Sequence, residues 1–113
     1  MARAVLLAED AGADDTGMGR YAGEVVPRVV ARLGAHGVQT VVAARTDARR
    51  LVAAARAEGA EIRPLVASTE PLWRRLAQLM AMRVRNVDLV YSADFKIPLH
   101  LRSVPYVVTV HDL

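Results

Sequence analysis

The 113-residue sequence contains no cysteine and very few aromatic residues, which make up 4% of the chain. The absence of cysteine excludes disulfide bonds and thiolate metal sites, and it is typical of the cytoplasm, where we expect this protein to reside. Because aromatic residues are scarce, the core must be built from Val, Leu and Ala. A chain of this length that is 53% hydrophobic is sufficient for one domain with a substantial core.

Lysine is also nearly absent. Lys96 is the only lysine, and every other basic residue is an arginine, in a chain with a formal net charge of +3. A nucleic-acid-binding surface would cluster its positive charge and interleave it with aromatic residues. The arginines are instead scattered along the sequence, so we predict no nucleic-acid partner.

Long apolar runs are missing too. No stretch approaches the roughly 20 residues of a membrane-spanning helix. The N-terminal apolar run at 4–8 stops at Glu9 and Asp10 and is too short for the apolar part of a secretory signal peptide. We therefore predict neither a membrane span nor a targeting segment.

Short Val-rich runs alternate along the chain with segments of helical periodicity. The runs predict five strands, at 4–8, 38–44, 61–67, 87–92 and 104–110. Continuous rather than alternating apolar character is typical of strands that are covered on both faces of a parallel sheet. The pattern predicts an α/β fold, a Rossmann-like parallel sheet of about five strands with flanking helices.

Three helices are predicted between these strands. The first has an apolar stripe at helical spacing, and Gly34 and Gly37 are predicted to end it. Pro27 lies either near its first turn or at a kink inside it. Asp47 is the predicted N-cap of the second helix, and Gly59 its stop.

The third strand and the third helix complete the prediction. Pro64 favours an edge position for the third strand. A third helix opens near Pro71 and carries an apolar stripe through Met80. Because no closing helix follows strand five, we expect the sequence to be the front part of a longer protein. The alternative is an edge strand packed by the preceding segments.

The polar residues at the strand ends allow a phosphoacceptor interpretation. The acidic pair Glu9 and Asp10 is similar to the start of a phosphoacceptor domain. That fold also needs an Asp after strand three and a Lys after strand five. The sequence has Ala-Ser-Thr at 67–69 and His111-Asp112 at these two positions, so this interpretation is rejected.

A dinucleotide-binding turn is the second interpretation. Gly17, Gly19 and Gly23 have the spacing of a phosphate-binding loop, and Arg45 after strand two could meet a 2′-phosphate. In such a site the first glycine directly follows the strand, whereas eight residues, 9–16, intervene here. A stand-alone nucleotide- or dinucleotide-binding module therefore stays an alternative.

The glycines also suit a loop that faces a ligand. Gly17 and Gly19 remove side chains just before a helix amino terminus, where backbone N–H groups and the helix dipole favour an anion or a sugar hydroxyl. Arg20, in the first turn, adds positive charge. If strand one neighbours strand four, this loop, Ser92 and His111 would share a crevice at the carboxyl ends of the strands.

Two stretches near opposite ends of the chain carry a family resemblance. "TGMGRYAGEVVPRVVARLGAHGVQTVVAA" and "DLVYSADFKIPLHLRSVPYVVTVHDL" resemble the N-terminal domain of family-four-type retaining glycosyltransferases of the GT-B fold. Those enzymes have a "G-[IVM]-G-R-Y" loop after strand one and "P-x-V-V-T-[VI]-H-D-L" after strand four. The chain departs from their "G-H-x-V" turn, because His36 and Gly37 stand in the opposite order.

The resemblance implies the N-terminal, incomplete half of a GT-B fold over 1–113. Such an enzyme moves a sugar from a nucleotide-sugar to a glycan or lipid-linked acceptor, without a metal or other cofactor. A C-terminal domain binds most of the donor, so this chain alone would be inactive. The resemblance implies a catalytic role for His111 and substrate binding by a further set of residues. These are Gly17, Gly19, Arg20, Asp10, Ser92 and Asp112.

The segment "PLWRRLAQLMAMRVR" permits a membrane interpretation. A basic amphipathic helix can lie on an anionic membrane, which would place the protein peripherally at the inner face of the membrane. The simpler interpretation is a core-facing apolar stripe with solvated arginines. The last alternative for the whole chain is a non-enzymatic α/β interaction domain.

Overall fold

The computed structural model describes residues 2–8, 17–45, 47–65, 86–93 and 104–108. They form a five-stranded sheet and two helices. In chain order the elements are β1 (Arg3–Ala8), α1 (Gly17–Ala35), β2 (Gln39–Arg45), α2 (Arg49–Ala57), β3 (Glu61–Leu65), β4 (Leu89–Ser92) and β5 (Tyr106–Val108). All strands run parallel in the order β3-β2-β1-β4-β5. The predicted α/β fold with a Rossmann-like parallel sheet is confirmed.

Strand β1 occupies the centre of the sheet because it is apolar on both faces. Its residues from Ala4 to Ala8 are all buried, and it pairs with β2 on one side and β4 on the other. Successive side chains point to opposite faces, so Leu6 packs into one core cluster and Val5 and Leu7 into another. The continuous apolar run therefore fills two cores at once.

Both described helices pack on the same face of the sheet. Their buried residues join alternate residues of β1 and β2 in one cluster. The helical members are Ala22, Val26 and Val30 of α1, and Leu51 and Ala55 of α2. The second cluster, on the opposite face, consists of Val5, Leu7, Val41, Ala43, Leu65 and Val90.

Each helix ends in a glycine turn that satisfies its last carbonyl groups. After α1, the N–H groups of Gly37 and Val38 donate to Gly34 and Leu33 at 3.0 and 2.9 Å. After α2, Gly59 and Ala60 repeat this Schellman pattern. Gly37 and Gly59 have φ values of +75° and +93°, which only glycine adopts without strain. The predicted helix ends at Gly37 and Gly59 are confirmed, whereas Gly34 lies inside α1 and does not end it.

Replacing glycine with alanine should change the free energy of unfolding in opposite directions at Gly59 and at Gly23. At Gly59 the positive φ strains any Cβ, so we expect a loss of about 1 kcal/mol in the free energy of unfolding. Gly23 lies inside α1 with nothing within 4 Å of an added Cβ, so alanine should stabilise by about 0.5–1 kcal/mol. Urea denaturation of both variants measures the difference. Two changes of the same sign would contradict these backbone conformations.

Helix α1 begins earlier than predicted. Gly17, Gly19 and Gly23 lie within the helix and not in a loop, while Arg20 lies in its first turn, as predicted. Pro27 is in the middle of α1, so it neither opens the helix nor ends it. Because proline has no N–H, the carbonyl of Gly23 loses its intrahelical partner there.

The N-cap prediction for the second helix was wrong. Ala48 holds the N-cap position of α2 without a side-chain hydrogen bond, because the Asp47 carboxylate binds Arg45 instead. The edge position of the third strand is confirmed, since β3 ends the sheet order with Pro64 in it. The predicted third helix lies outside the described residues. Among the helices that are described, none is long and apolar enough to cross a membrane.

Polar contacts tie the strands together at the amino-terminal edge of the sheet. The Arg3 backbone N–H donates to the Asp88 carboxylate at 2.9 Å, and the Asp88 N–H donates back to the Arg3 carbonyl at 2.8 Å. The Arg3 guanidinium also donates to the side-chain oxygen of Gln39. These bonds hold the starts of β1, β2 and β4 in register at the edge opposite the candidate site.

Candidate functional site

The candidate site lies where the strand order reverses. The chain proceeds outward from β1 through β2 to β3 and then returns to the other side of β1 at β4. In open parallel sheets a ligand binds at such a point, beyond the carboxyl ends of the strands. Here Leu7 pairs with Ser92, and the N–H of Ala93 donates to the Leu7 carbonyl at 2.9 Å. The ends of β1 and β4 therefore lie side by side, the arrangement that a shared crevice requires.

The amino terminus of α1 provides the positive end of this site. Because α1 connects the parallel strands β1 and β2, its first turn lies at the carboxyl-end edge of the sheet. The first N–H groups of a helix have no intrahelical partner and carry the positive end of the dipole. Arg20 is exposed in this turn, and the turn contains no acidic residue. An anion is the ligand that such a helix end favours.

A pair of tyrosines joins α1 to β4. The hydroxyl oxygens of Tyr21 and Tyr91 lie 3.2 Å apart, and either can donate. Both rings are half-buried and pack against the cluster under α1. Sequence reasoning assigned neither residue a role, because the two are far apart in the chain, although Tyr21 is the last residue of the "G-[IVM]-G-R-Y" motif. The contact places the first turns of α1 against the end of β4.

We expect this hydroxyl pair to be energetically coupled. Replacing Tyr21 or Tyr91 by Phe removes one hydroxyl, and the half-buried hydroxyl of the other tyrosine loses this hydrogen bond. Each change should therefore lower the free energy of unfolding by about 1 kcal/mol. In a double-mutant cycle the two losses should be non-additive by at least 0.5 kcal/mol, roughly the threshold for residues in contact. Tyr106, which is 53% exposed on β5, is the matched control, and its change to Phe should be neutral. Additive losses at Tyr21 and Tyr91 would contradict the contact.

Ser92 is adjacent to β1 but faces away from α1. Its side chain is completely buried. It follows Tyr91 in the strand and shares the face of Val90, which belongs to the cluster opposite the helices. Ser92 and Arg20 therefore lie on opposite faces of the sheet. The remaining predicted site residues, Asp10, His111 and Asp112, lie outside the described residues.

The dinucleotide-binding alternative depends on Arg45 for its positive charge. The Arg45 side chain is held by a carboxylate. Its Nε and Nη2 donate to the two carboxylate oxygens of Asp47 at 3.0 and 2.6 Å. Such a bidentate pair is among the stronger ion pairs in proteins. Only 13% of the Arg45 side chain is exposed, and Asp47 accepts from two of its nitrogens, which leaves little of the guanidinium open to a 2′-phosphate.

A separate groove of about 170 Å³ lies between α2 and the edge strand β3. Ala44, Val52, Ile62 and Pro64 line it, together with Arg56. It lies on the β3 side of the sheet, away from β4, and is not part of the candidate site. Within the ranges that the structure describes, no three His, Cys, Asp or Glu side chains are grouped as metal ligands.

The fold and the reversal point together define a Rossmann-like parallel α/β protein. Comparisons with protein-family models, with curated proteins and with solved structures found no match for this chain. The function must therefore be argued from the chain's own residues.

Proposed function

We propose that this chain is the acceptor-side N-terminal domain of a retaining glycosyltransferase of the GT-B type. The complete enzyme would transfer a sugar from a nucleotide-sugar to a glycan or lipid-linked acceptor. One observation carries the proposal. The glycine-rich segment that resembles this family forms the first turn of α1, beside the carboxyl ends of β1 and β4.

The chemistry of that position suits a nucleotide-sugar. A diphosphate carries negative charge, and the open N–H groups of the first turn, the helix dipole and Arg20 all favour it. Gly17 and Gly19 have no side chains, so a phosphate or sugar can approach the backbone closely. In this proposal His111 donates a hydrogen bond to the transferred sugar, and Asp112 orients it. Asp10 completes the proposed contacts, whereas Ser92, which is buried on the opposite face of the sheet, takes no part in them.

The proposal assigns most of the donor contacts to a C-terminal domain, and we expect this chain alone to be inactive in transfer. No metal or cofactor takes part in the proposed reaction. The dinucleotide-binding alternative is less favoured by the observed contacts, because the Arg45 guanidinium already holds a carboxylate. Among the described contacts, none favours a non-enzymatic interaction domain over the glycosyltransferase domain or the dinucleotide-binding module.

The test uses the complete product of the reading frame that encodes this chain. It is incubated with a panel of nucleoside-diphosphate sugars and with glycan and lipid-phosphate acceptors. We expect release of a nucleoside diphosphate and a product whose anomeric configuration, measured by NMR, matches that of the donor. Inverted configuration would contradict the retaining assignment. Absence of release from every donor, together with tight binding of a nicotinamide dinucleotide, would favour the alternative.

A further inference from the structure

The two described helices form one continuous outer layer. Their buried residues belong to a single cluster on one face of the sheet. The opposite stripe of each helix therefore faces the same side of the molecule. We call the exposed surface of Gly17–Ala35 and Arg49–Ala57 the helix layer.

Positive charge is concentrated on the helix layer. The two helices contain six arginines and a single acidic residue, Glu24. This is a formal charge of +5, whereas the whole chain carries +3, so the remaining residues are net acidic. All six arginines are exposed. They are Arg20, Arg28, Arg32, Arg49, Arg50 and Arg56. Six arginines that are scattered in the sequence thus lie on one side of the fold.

The shape of the helix layer favours a planar anionic partner. Apart from the arginines and Glu24, the exposed residues among the described side chains of the two helices are small, namely Gly34, Ala35, Ala53 and Ala57, so no other bulky exposed side chain is described on this surface. The two helices lie side by side, so neither of them can enter a nucleic-acid groove alone. Tyr21 is the one tyrosine of the helix layer, and it is half-buried against Tyr91. The two helices therefore present no aromatic side chain on which bases could stack. Long arginine side chains from both helices can reach a flat array of headgroups together.

We propose that the helix layer binds the anionic surface of a phospholipid bilayer. The contact is electrostatic, because the layer presents arginines without a large exposed apolar residue among its described side chains. Binding is therefore peripheral and reversible by salt, since surface charges are screened beyond about 10 Å at 0.1 M ionic strength. The proposal does not depend on the transfer reaction.

The test measures partition of the 113-residue chain onto vesicles of phosphatidylcholine with and without phosphatidylserine. We expect binding only with phosphatidylserine, and its loss at high salt. The triple variant Arg32→Gln, Arg49→Gln, Arg56→Gln should lower the partition constant about 100-fold, because each arginine near such a surface contributes about 1 kcal/mol. No hydrogen bond or ion pair to these three side chains is found within the described ranges, so the fold should tolerate the changes.

Two matched variants control this result. Arg74→Gln, Arg75→Gln, Arg83→Gln removes the same charge from the predicted third helix and should leave partition nearly unchanged. Lysine at 32, 49 and 56 keeps the charge and should retain binding within a few-fold, and it serves as the second variant if the glutamine triple does not fold by circular dichroism. Equal losses from both glutamine triples would overturn the proposal. So would binding to pure phosphatidylcholine, or binding to duplex DNA without binding to the anionic vesicles.

Discussion

Replacing His111 with alanine in the proposed full-length glycosyltransferase should lower the turnover number for sugar transfer by about 100-fold. The proposed imidazole donates a hydrogen bond to the sugar as charge develops, and removal of one such donor typically costs a factor of this size or larger. The effect should fall on kcat more than on KM, because the bond strengthens in the transition state. Steady-state kinetics with a saturating nucleotide-sugar measure both constants.

His36 provides the matched control for this substitution. It is exposed just after α1, at the end opposite to Gly17, and its Nδ1 lies 2.9 Å from the backbone oxygen of Arg32. His36→Ala should leave transfer unchanged. Circular dichroism confirms that both variants fold. Unchanged turnover in a folded His111→Ala enzyme would remove His111 from the mechanism, while the transfer assay of the parent enzyme tests the proposed function separately.

Leu6→Ala should lower the free energy of unfolding of the 113-residue chain by about 3 kcal/mol. Leu6 has no exposed surface and lies in the central strand beneath both helices. Truncation of such a side chain loses its transfer free energy and leaves a cavity, which together cost about 2–5 kcal/mol. Domains are stable by only about 5–15 kcal/mol, so this single change removes a large share of the total. Urea denaturation with a constant m-value measures it.

Leu89 is the control for the core prediction. It is also a leucine in a strand that packs against the same cluster, but it is half-buried at the start of β4. Leu89→Ala should therefore cost distinctly less than Leu6→Ala, because fewer contacts are lost and the cavity opens to solvent. A cost at Leu6 equal to or below that at Leu89 would contradict the central position of β1.

The start of α1 shows how local propensity can mislead. Gly17, Gly19 and Gly23 suggested a loop, because glycine disfavours the interior of a helix by up to about 1 kcal/mol per residue. The structure nevertheless includes all three in the helix. Burial of Ala22, Val26 and Val30 against the sheet outweighs this cost, since tertiary packing supplies most of the stability of a helix in a protein.

Competition between two hydrogen-bond partners of Asp47 explains why the N-cap prediction for α2 was wrong. Asp47 has the residue type of an N-cap, but it lies one residue before the N-cap position, which Ala48 occupies. Its carboxylate instead makes two charge-assisted bonds to Arg45, which are stronger than one bond to a backbone N–H. The sequence contains both residues, but a pattern of residue types does not rank the two partners.

The candidate site was predicted in outline only. The sequence predicts a shared crevice on the condition that strand one neighbours strand four, and the structure meets that condition. The opposite orientation of Ser92 and the pairing of Tyr21 with Tyr91 were not predicted. Both depend on which face each strand residue takes, and a shift of one residue in strand position would reverse them.

By itself, the sequence determined that strands and helices alternate along the chain, that the strands form a parallel sheet, and that the two described helices stop before Gly37 and Gly59. Val-rich runs need cover on both faces, and Gly37 and Gly59 supply backbone conformations that other residues resist. Only the tertiary structure decided the strand order, the packing of both helices on one face, and the collection of six arginines on that layer. The physical reason is that these features arise from contacts between residues distant in the chain, and periodicity records only the neighbours of each residue.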